Sequence, residues 1–178
     1  MKKILAFAGS TSSTSINKKL ATYAAENLEN TKFKVIDLRD FPMEIYSEDV
    51  ESENGFPENA EKLSKLLDEH DGYILSLAEH NGSYAAAFKN IFDWCSRIEA
   101  KVFRNKPLLL MATSPGGRGG LSVLETAEAR FSRMGTKGVA TFSLPSFYDN
   151  FQEGKIIEKK LDEQLKTAVI NFEKTVNQ

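Results

Sequence analysis

The sequence predicts an α/β fold: a doubly wound, five-stranded parallel sheet in the order 2-1-3-4-5, with helices on both faces. Three observations predict it. Short apolar runs alternate with longer segments of helical period. The first, third and fourth of these runs are almost continuously apolar, as strands covered on both faces are. No stretch rich in Pro, Gly or Ser divides the chain, so residues 1–178 read as one domain.

Taken in order, Lys3 to Ala8 is the first strand. Ile16, Leu20, Tyr23, Ala24 and Leu28 then recur at helical spacing. Phe33 to Leu38 is the second strand. The stretch from Glu44 to Asp71 holds ten acids and two lysines, which reads as a solvated loop and the exposed face of a second helix. That helix buries Ala60, Leu63, Leu66 and Leu67. Gly72 to Ala78 is the third strand, and Phe88, Ile91, Phe92 and Cys95 mark the next helix. Pro107 to Thr113 is the fourth strand. Ser122 with Glu125 makes a capping-box pattern, and Gly135 is a natural stop. Gly138 to Phe142 is the fifth strand. An apolar stripe from Ile157 to Val176 closes the chain as a helix.

Composition removes several function classes. The net charge of −2 offers no basic field for nucleic acid. One cysteine and two histidines leave no framework for a disulfide or a metal site. No apolar run approaches the ~20 residues that span a bilayer, so no membrane insertion is expected. The apolar stretch after Met1-Lys2-Lys3 stops at Gly9, too soon for a secretory core, and a cytoplasmic protein is expected.

Ligands of an open parallel sheet bind outside the carboxyl ends of its strands, where strand order reverses. Three loops there are unusual. The first runs from Gly9 through Ser10, Ser12, Ser15 and Ile16 to Asn17. Gly9 permits a sharp turn, six successive hydroxyl residues offer donors, and a helix N-terminus follows. This is a phosphate cradle without fixed charge; elsewhere in a chain it would read as a turn capped by Ser15. It matches neither the Walker nor the dinucleotide glycine pattern. The second loop is Glu79, His80, Asn81, Gly82, Ser83 and Tyr84. Asn81-Gly82 is a turn signal, and Ser83 can cap the next helix. The third runs from Ser114 through Gly116, Gly117 and Arg118 to Gly120. Its glycines let backbone approach a ligand, and Arg118 suits a phosphate or carboxylate.

Together these loops resemble the NADPH-dependent FMN reductase family of the flavodoxin-like superfamily. Gly9, Ser10, Ser15, Asn17 and Leu20 stand in register with the family's first motif. Glu79, Asn81, Gly82, Ser83, Lys89, Asn90, Asp93 and Trp94 stand in register with its second. The third loop matches as well, and the likeness extends to about Phe142. The resemblance implies a flavodoxin-like fold and FMN as cofactor. It implies NADPH or NADH as co-substrate and a small-molecule electron acceptor: a quinone, an azo compound, a flavin or an oxidised metal. By position, Ser10, Ser15, Ile16 and Asn17 would hold the FMN phosphate, with Gly9 and Ser12 in the same loop. Glu79, His80, Asn81 and Gly82 would lie along the isoalloxazine ring. Ser114 and Gly117, with Gly116 and Arg118, would approach its other side. The helix with Lys89, Asn90, Asp93 and Trp94 would pack at a subunit interface, in a homodimer or homotetramer.

The chain departs from the pattern in three places. Ser12 replaces an Arg, Ala78 and His80 replace a Pro and a Tyr, and Ala85-Ala86 replaces Pro-Gly. His80 is a candidate proton donor to the acceptor. Cys95 reads as a small core or interface residue. The rival readings are a flavodoxin-like electron carrier and a non-catalytic FMN-binding protein.

Overall fold

The computed structural model describes residues 1–178. Its central sheet contains β1 (Lys3–Gly9), β2 (Lys32–Val35), β3 (Gly72–Leu77), β6 (Lys106–Thr113) and β7 (Thr136–Leu144). All are parallel, in the order β2-β1-β3-β6-β7, which is the expected 2-1-3-4-5. Two short hairpins stand apart from it. One pairs β4 (Glu79–His80) with β5 (Ser83–Tyr84), the other β8 (Phe151–Gln152) with β9 (Lys155–Ile156).

The central strands read as continuous apolar runs because both faces are covered. Alternate residues point to opposite sides of a pleated strand. Leu5, Phe7, Tyr73, Leu75, Leu108 and Leu110 pack against α3 (Glu58–Glu69), α4 (Ala86–Ile98) and α5 (Leu121–Phe131). Ile4, Ala6, Ile74, Leu109 and Met111 face α1 (Ile16–Glu26) and α7 (Lys159–Val176). The edge strand β2 is exposed at Lys32, Phe33 and Lys34, and the two lysines discourage pairing with another chain.

The second strand is shorter than expected. Asp37 accepts the Arg39 N–H at 3.0 Å and turns the chain into a 3-10 turn, Leu38–Asp40. A local polar cap overrides the apolar run there. The acidic stretch is also more ordered than a loop. It forms α2 (Glu48–Asn54), capped by Ser47 and tied to α4 by Glu51 with Arg97 at 2.8 Å. Trp94 on α4 is fully buried and donates its indole N–H to the Glu44 carbonyl at 2.9 Å. Asn90 holds the same segment through the Tyr46 N–H and the Glu44 carbonyl.

Two expected caps are corrected. Ser122 and Glu125 do not form a capping box. The helix begins two residues earlier than that cap implies, at Leu121, behind a left-handed Gly120 with φ of 73°. A Cβ on Gly120 would meet the Ala112 Cβ at 2.9 Å, so glycine carries the chain past the end of β6. Ser83 lies in the β4–β5 hairpin rather than capping α4, whose first turn follows an uncapped Ala85. The last helix starts at Lys159 because the Glu158 carboxylate accepts the N–H groups of Lys160 and Leu161; Ile157 stays outside it. The short α6 (Phe147–Asn150) joins β7 to the second hairpin. No helix is long and apolar enough to cross a membrane.

Candidate functional site

The carboxyl ends of β1, β3 and β6 bring the three loops to one edge of the sheet. In the first loop Ser15 caps α1, its hydroxyl accepting the Lys18 N–H at 3.1 Å. The loop curls on itself. Ser12 N–H donates to the Ser10 hydroxyl at 3.2 Å, and Thr14 N–H to the Ser12 hydroxyl at 3.3 Å. Ile16 and Asn17 open the helix, so their N–H groups have no acceptor one turn back. No acid stands in that first turn. The edge therefore presents free donors and a positive dipole end to an anion. Gly9 is needed for room, not for a left-handed turn. A Cβ there would meet Leu77 at 2.7 Å and Phe88 at 3.1 Å.

Asn17 is not a free donor at the loop. Its side chain is buried, accepting the Ser76 hydroxyl at 2.7 Å and the Thr113 N–H at 3.0 Å. It donates in turn to the Thr113 carbonyl at 3.1 Å. One amide thus fastens α1 to the ends of β3 and β6, and only its backbone N–H faces the loop mouth.

The second loop is a hairpin rather than a plain strand-to-helix turn. Asn81 and Gly82 both have positive φ, 52° and 75°, the two-residue turn that matches strand twist. His80, Asn81 and Gly82 are exposed at its tip. Glu79 points back instead. Its carboxylate accepts the Val123 N–H at 3.0 Å and supplies the N-terminal cap that α5 otherwise lacks.

The third loop divides into two halves. Gly119 and Gly120 are buried and left-handed, and a Cβ on Gly119 would come 2.5 Å from the Ser143 hydroxyl. Gly116 and Gly117 are exposed with ordinary φ. A Cβ on Gly117 would meet nothing within 4 Å. The fold requires the first pair; nothing inside the molecule requires the second. Such bare backbone is the surface a flat ligand ring can approach closely. Ser114 and Gly116 accept the N–H groups of Phe147 and Ser146 through their carbonyls, at 3.1 and 3.0 Å. Arg118 is exposed, within 3.3 Å of the Ser122 hydroxyl.

Beside the first loop, Asp37 accepts both Lys18 and Arg39. Arg39's hydrogen bonds hold its carboxyl well below the usual carboxylate range, against the upward push of burial. Cys95 is 2% exposed, and burial pushes its thiol up to about 12, which makes it an inert core residue.

Sequence reasoning missed the turn after β7, where Ser146 and Phe147 brace the third loop. Unlike the loops after the first, third and fourth strands, this turn carries no unusual run of glycines or hydroxyls. Sequence reasoning also missed Ser76 and Thr113, which look like ordinary strand residues until the fold sets Asn17 between them. The uncharged donors at α1 and the open glycines fit a flavin mononucleotide. Ile16, Asn17 and the loop hydroxyls suit its phosphate, and Gly116 and Gly117 suit the approach of its ring.

Comparison with known proteins places the chain in a family. The sequence profile of the NADPH-dependent FMN reductase family matches residues 2–149. A quinone reductase of Escherichia coli K12 is 36% identical over 76 residues, 43% of this chain and 40% of that protein. The chain thus matches less than half the length of that relative. A Mycoplasma pneumoniae protein of uncharacterised function is 30% identical over 146 residues, 79% of this chain and 85% of its own. In fold, the chain is similar to FerB, an NAD(P)H:(acceptor) oxidoreductase flavoenzyme of Paracoccus denitrificans. The TM-score is 0.78 at 23% identity, over 99% of this chain and 98% of that one. The match over residues 2–149 bears out the expected family, which implies FMN as cofactor and NAD(P)H as co-substrate. By that match, the chain belongs to the NADPH-dependent FMN reductase family.

Proposed function

We propose that the chain is an FMN-dependent NAD(P)H oxidoreductase acting on a quinone, azo, flavin or metal acceptor. One observation carries the reading: the three loops form a single braced edge. Asn17 fastens the first to the third, and Glu79 fastens the second to the third. The quinone reductase relative supports a quinone as acceptor.

Bound FMN would supply the redox chemistry, taking hydride from a nicotinamide and passing electrons to the acceptor. The chain's own residues bind and orient. The N–H groups of Ile16 and Asn17, with the hydroxyls of Ser10 and Ser12, receive the phosphate. Ser15 shapes that mouth by capping α1. The tip of the second loop, His80 to Gly82, borders the ring from one side. Ser114, Gly116 and Gly117 border it from the other, where their bare backbone admits close stacking. Arg118 gives a cation to an anionic group of ligand or acceptor. His80, exposed at the tip, donates a proton to the reduced acceptor. An unchanged rate and pH profile in His80→Phe would remove that role.

The enzyme works as one domain, in a homodimer or homotetramer, in the cytoplasm. Exposed Ile45 and Phe56, on the segment that packs on α4, support an interface there; Ile45 is 83% exposed.

The test is an anaerobic absorbance spectrum of the FMN-reconstituted protein, before and after one equivalent of NADPH. Bleaching near ~450 nm within seconds is expected of a nicotinamide-driven reductase. Flavin that NADPH leaves oxidised but dithionite reduces would mark a carrier or a non-catalytic binder. No flavin binding would overturn the assignment of the edge.

A further inference from the structure

A cleft of about 460 Å³ lies along the outer face of α1 and runs up to Ser13, Thr14 and Ser15 of the first loop. Lys19, Thr22, Tyr23 and Glu26 line it at helical spacing, so they share one face of the helix. The β8–β9 hairpin closes the far side with Phe151, Glu153 and Gly154. Glu153 and Gly154 form its tip, with φ of 49° and 80°.

The two ends of the cleft differ in chemistry. At the start of α1 stand the hydroxyls of Ser13 and Thr14 and the ammonium groups of Lys18 and Lys19. Lys18 is committed to Asp37. Lys19 enters none of the molecule's ion pairs. It stands within the first turn of α1, where the dipole repels a cation, and no carboxylate lies within ion-pair distance of it. Glu26 lies seven residues on, or ~10 Å along the axis. Glu153, on the hairpin tip, is the other acid of the lining. Between the ends sits Tyr23, its hydroxyl on Asp162 and its ring edge-on to Phe151 at 5.8 Å.

A ligand that matches this cleft carries an anion at one end, a ring in the middle and hydrogen-bond donors at the other. A nucleoside phosphate has that order: phosphate, sugar and base, with the base's donors for Glu26. The volume is within the range of ligand pockets. We propose that this cleft receives the adenosine 2′-phosphate end of NADPH, with the phosphate on Lys19 and the hydroxyls of Ser13 and Thr14. The proposal rests on the NAD(P)H oxidoreductase reading and deepens it. It makes Lys19 the residue that separates NADPH from NADH, in a chain where Ser12 has taken the place of the family's Arg.

The test uses the FMN-loaded protein and two probes, adenosine 2′,5′-bisphosphate and 5′-AMP, titrated by calorimetry. The bisphosphate is expected to bind about tenfold more tightly, the scale of one charge-assisted hydrogen bond. Lys19→Ala should erase that difference and lower the NADPH to NADH ratio of kcat/KM about tenfold. FMN affinity should stay as in the parent. Lys19 is exposed, so Lys19→Ala is expected to fold, and a thermal melt checks this. Equal affinity for the two probes, or a difference that survives Lys19→Ala, overturns the cleft assignment. Reduction by NADPH and NADH without discrimination overturns it too, but leaves the oxidoreductase reading standing. Reduction by neither nicotinamide overturns that reading, and the two-probe titration then decides the cleft alone.

Discussion

The carboxylate of Glu79 accepts the backbone N–H of Val123 at 3.0 Å, so the loop that ends β3 caps the helix that follows β6. The resemblance had set Glu79 along the flavin ring. The structure gives its side chain a different task, and that task holds the second loop against the third. Glu79→Ala should cost about 1 kcal/mol, the usual worth of a helix N-cap. It should also weaken FMN binding, while Glu79→Gln keeps an acceptor and recovers most of both. Urea unfolding and fluorescence titration with FMN measure the two effects. Equal loss in Ala and Gln would refute the capping role.

The third loop offers a comparison between glycines. Gly119→Ala places a Cβ against the Ser143 hydroxyl and strains a backbone at φ 59°, so it should destabilise the fold by about 1–3 kcal/mol. Gly117→Ala has open space and an ordinary φ. Its melting temperature should match the parent, and its FMN affinity should fall. A stable Gly117→Ala protein with parental affinity would show that the ring does not approach there.

Asn17 is expected to be a stability residue more than a ligand residue. Asn17→Ala removes the acceptor for a buried Ser76 hydroxyl and a buried Thr113 N–H. Leaving such groups unpaired costs about 1–3 kcal/mol each. The unfolding midpoint should drop well before any change in phosphate affinity per folded molecule is seen.

Acid should weaken the protein partly through Glu173. This carboxylate on α7 accepts the Asn30 N–H at 2.8 Å and the Thr31 hydroxyl at 2.9 Å, holding the turn between α1 and β2. Burial pushes its carboxyl up, but the hydrogen bonds outweigh burial and hold it below its ordinary value. The folded state therefore gives up this proton more readily than the unfolded chain. Its contribution is complete above the ordinary carboxylate range and is lost as pH falls through and below it. Thermal melts from about pH 6 to about pH 3 should show a flatter acid limb in Glu173→Gln than in the parent.

The burial of Cys95 predicts a silent thiol. The native protein should not react with iodoacetamide at neutral pH, and the unfolded protein should. Mass spectrometry reads the difference directly.

Much of this architecture was written in local pattern. Alternation of apolar runs with helical stripes points to five parallel strands, because buried strands and amphipathic helices have different periods, and the doubly wound architecture of such units suggests their order. The glycine and hydroxyl loops were legible because their residue types serve special turns and free donors. Ser15 as a cap needed only its place before Ile16. The boundaries that shifted did so where a distant group competed with a local signal. Ser122 looked like a cap, but Ala112 and Glu79, from other parts of the chain, moved the helix start and supplied its cap. Asn17 looked like a phosphate donor, but Thr113 lies 96 residues away and takes its side chain. The sequence by itself determined the fold class, the family and the three loops. Only the tertiary structure decided which side chains of those loops remain free for a ligand, because a hydrogen bond between distant residues has no signature in either one's local sequence.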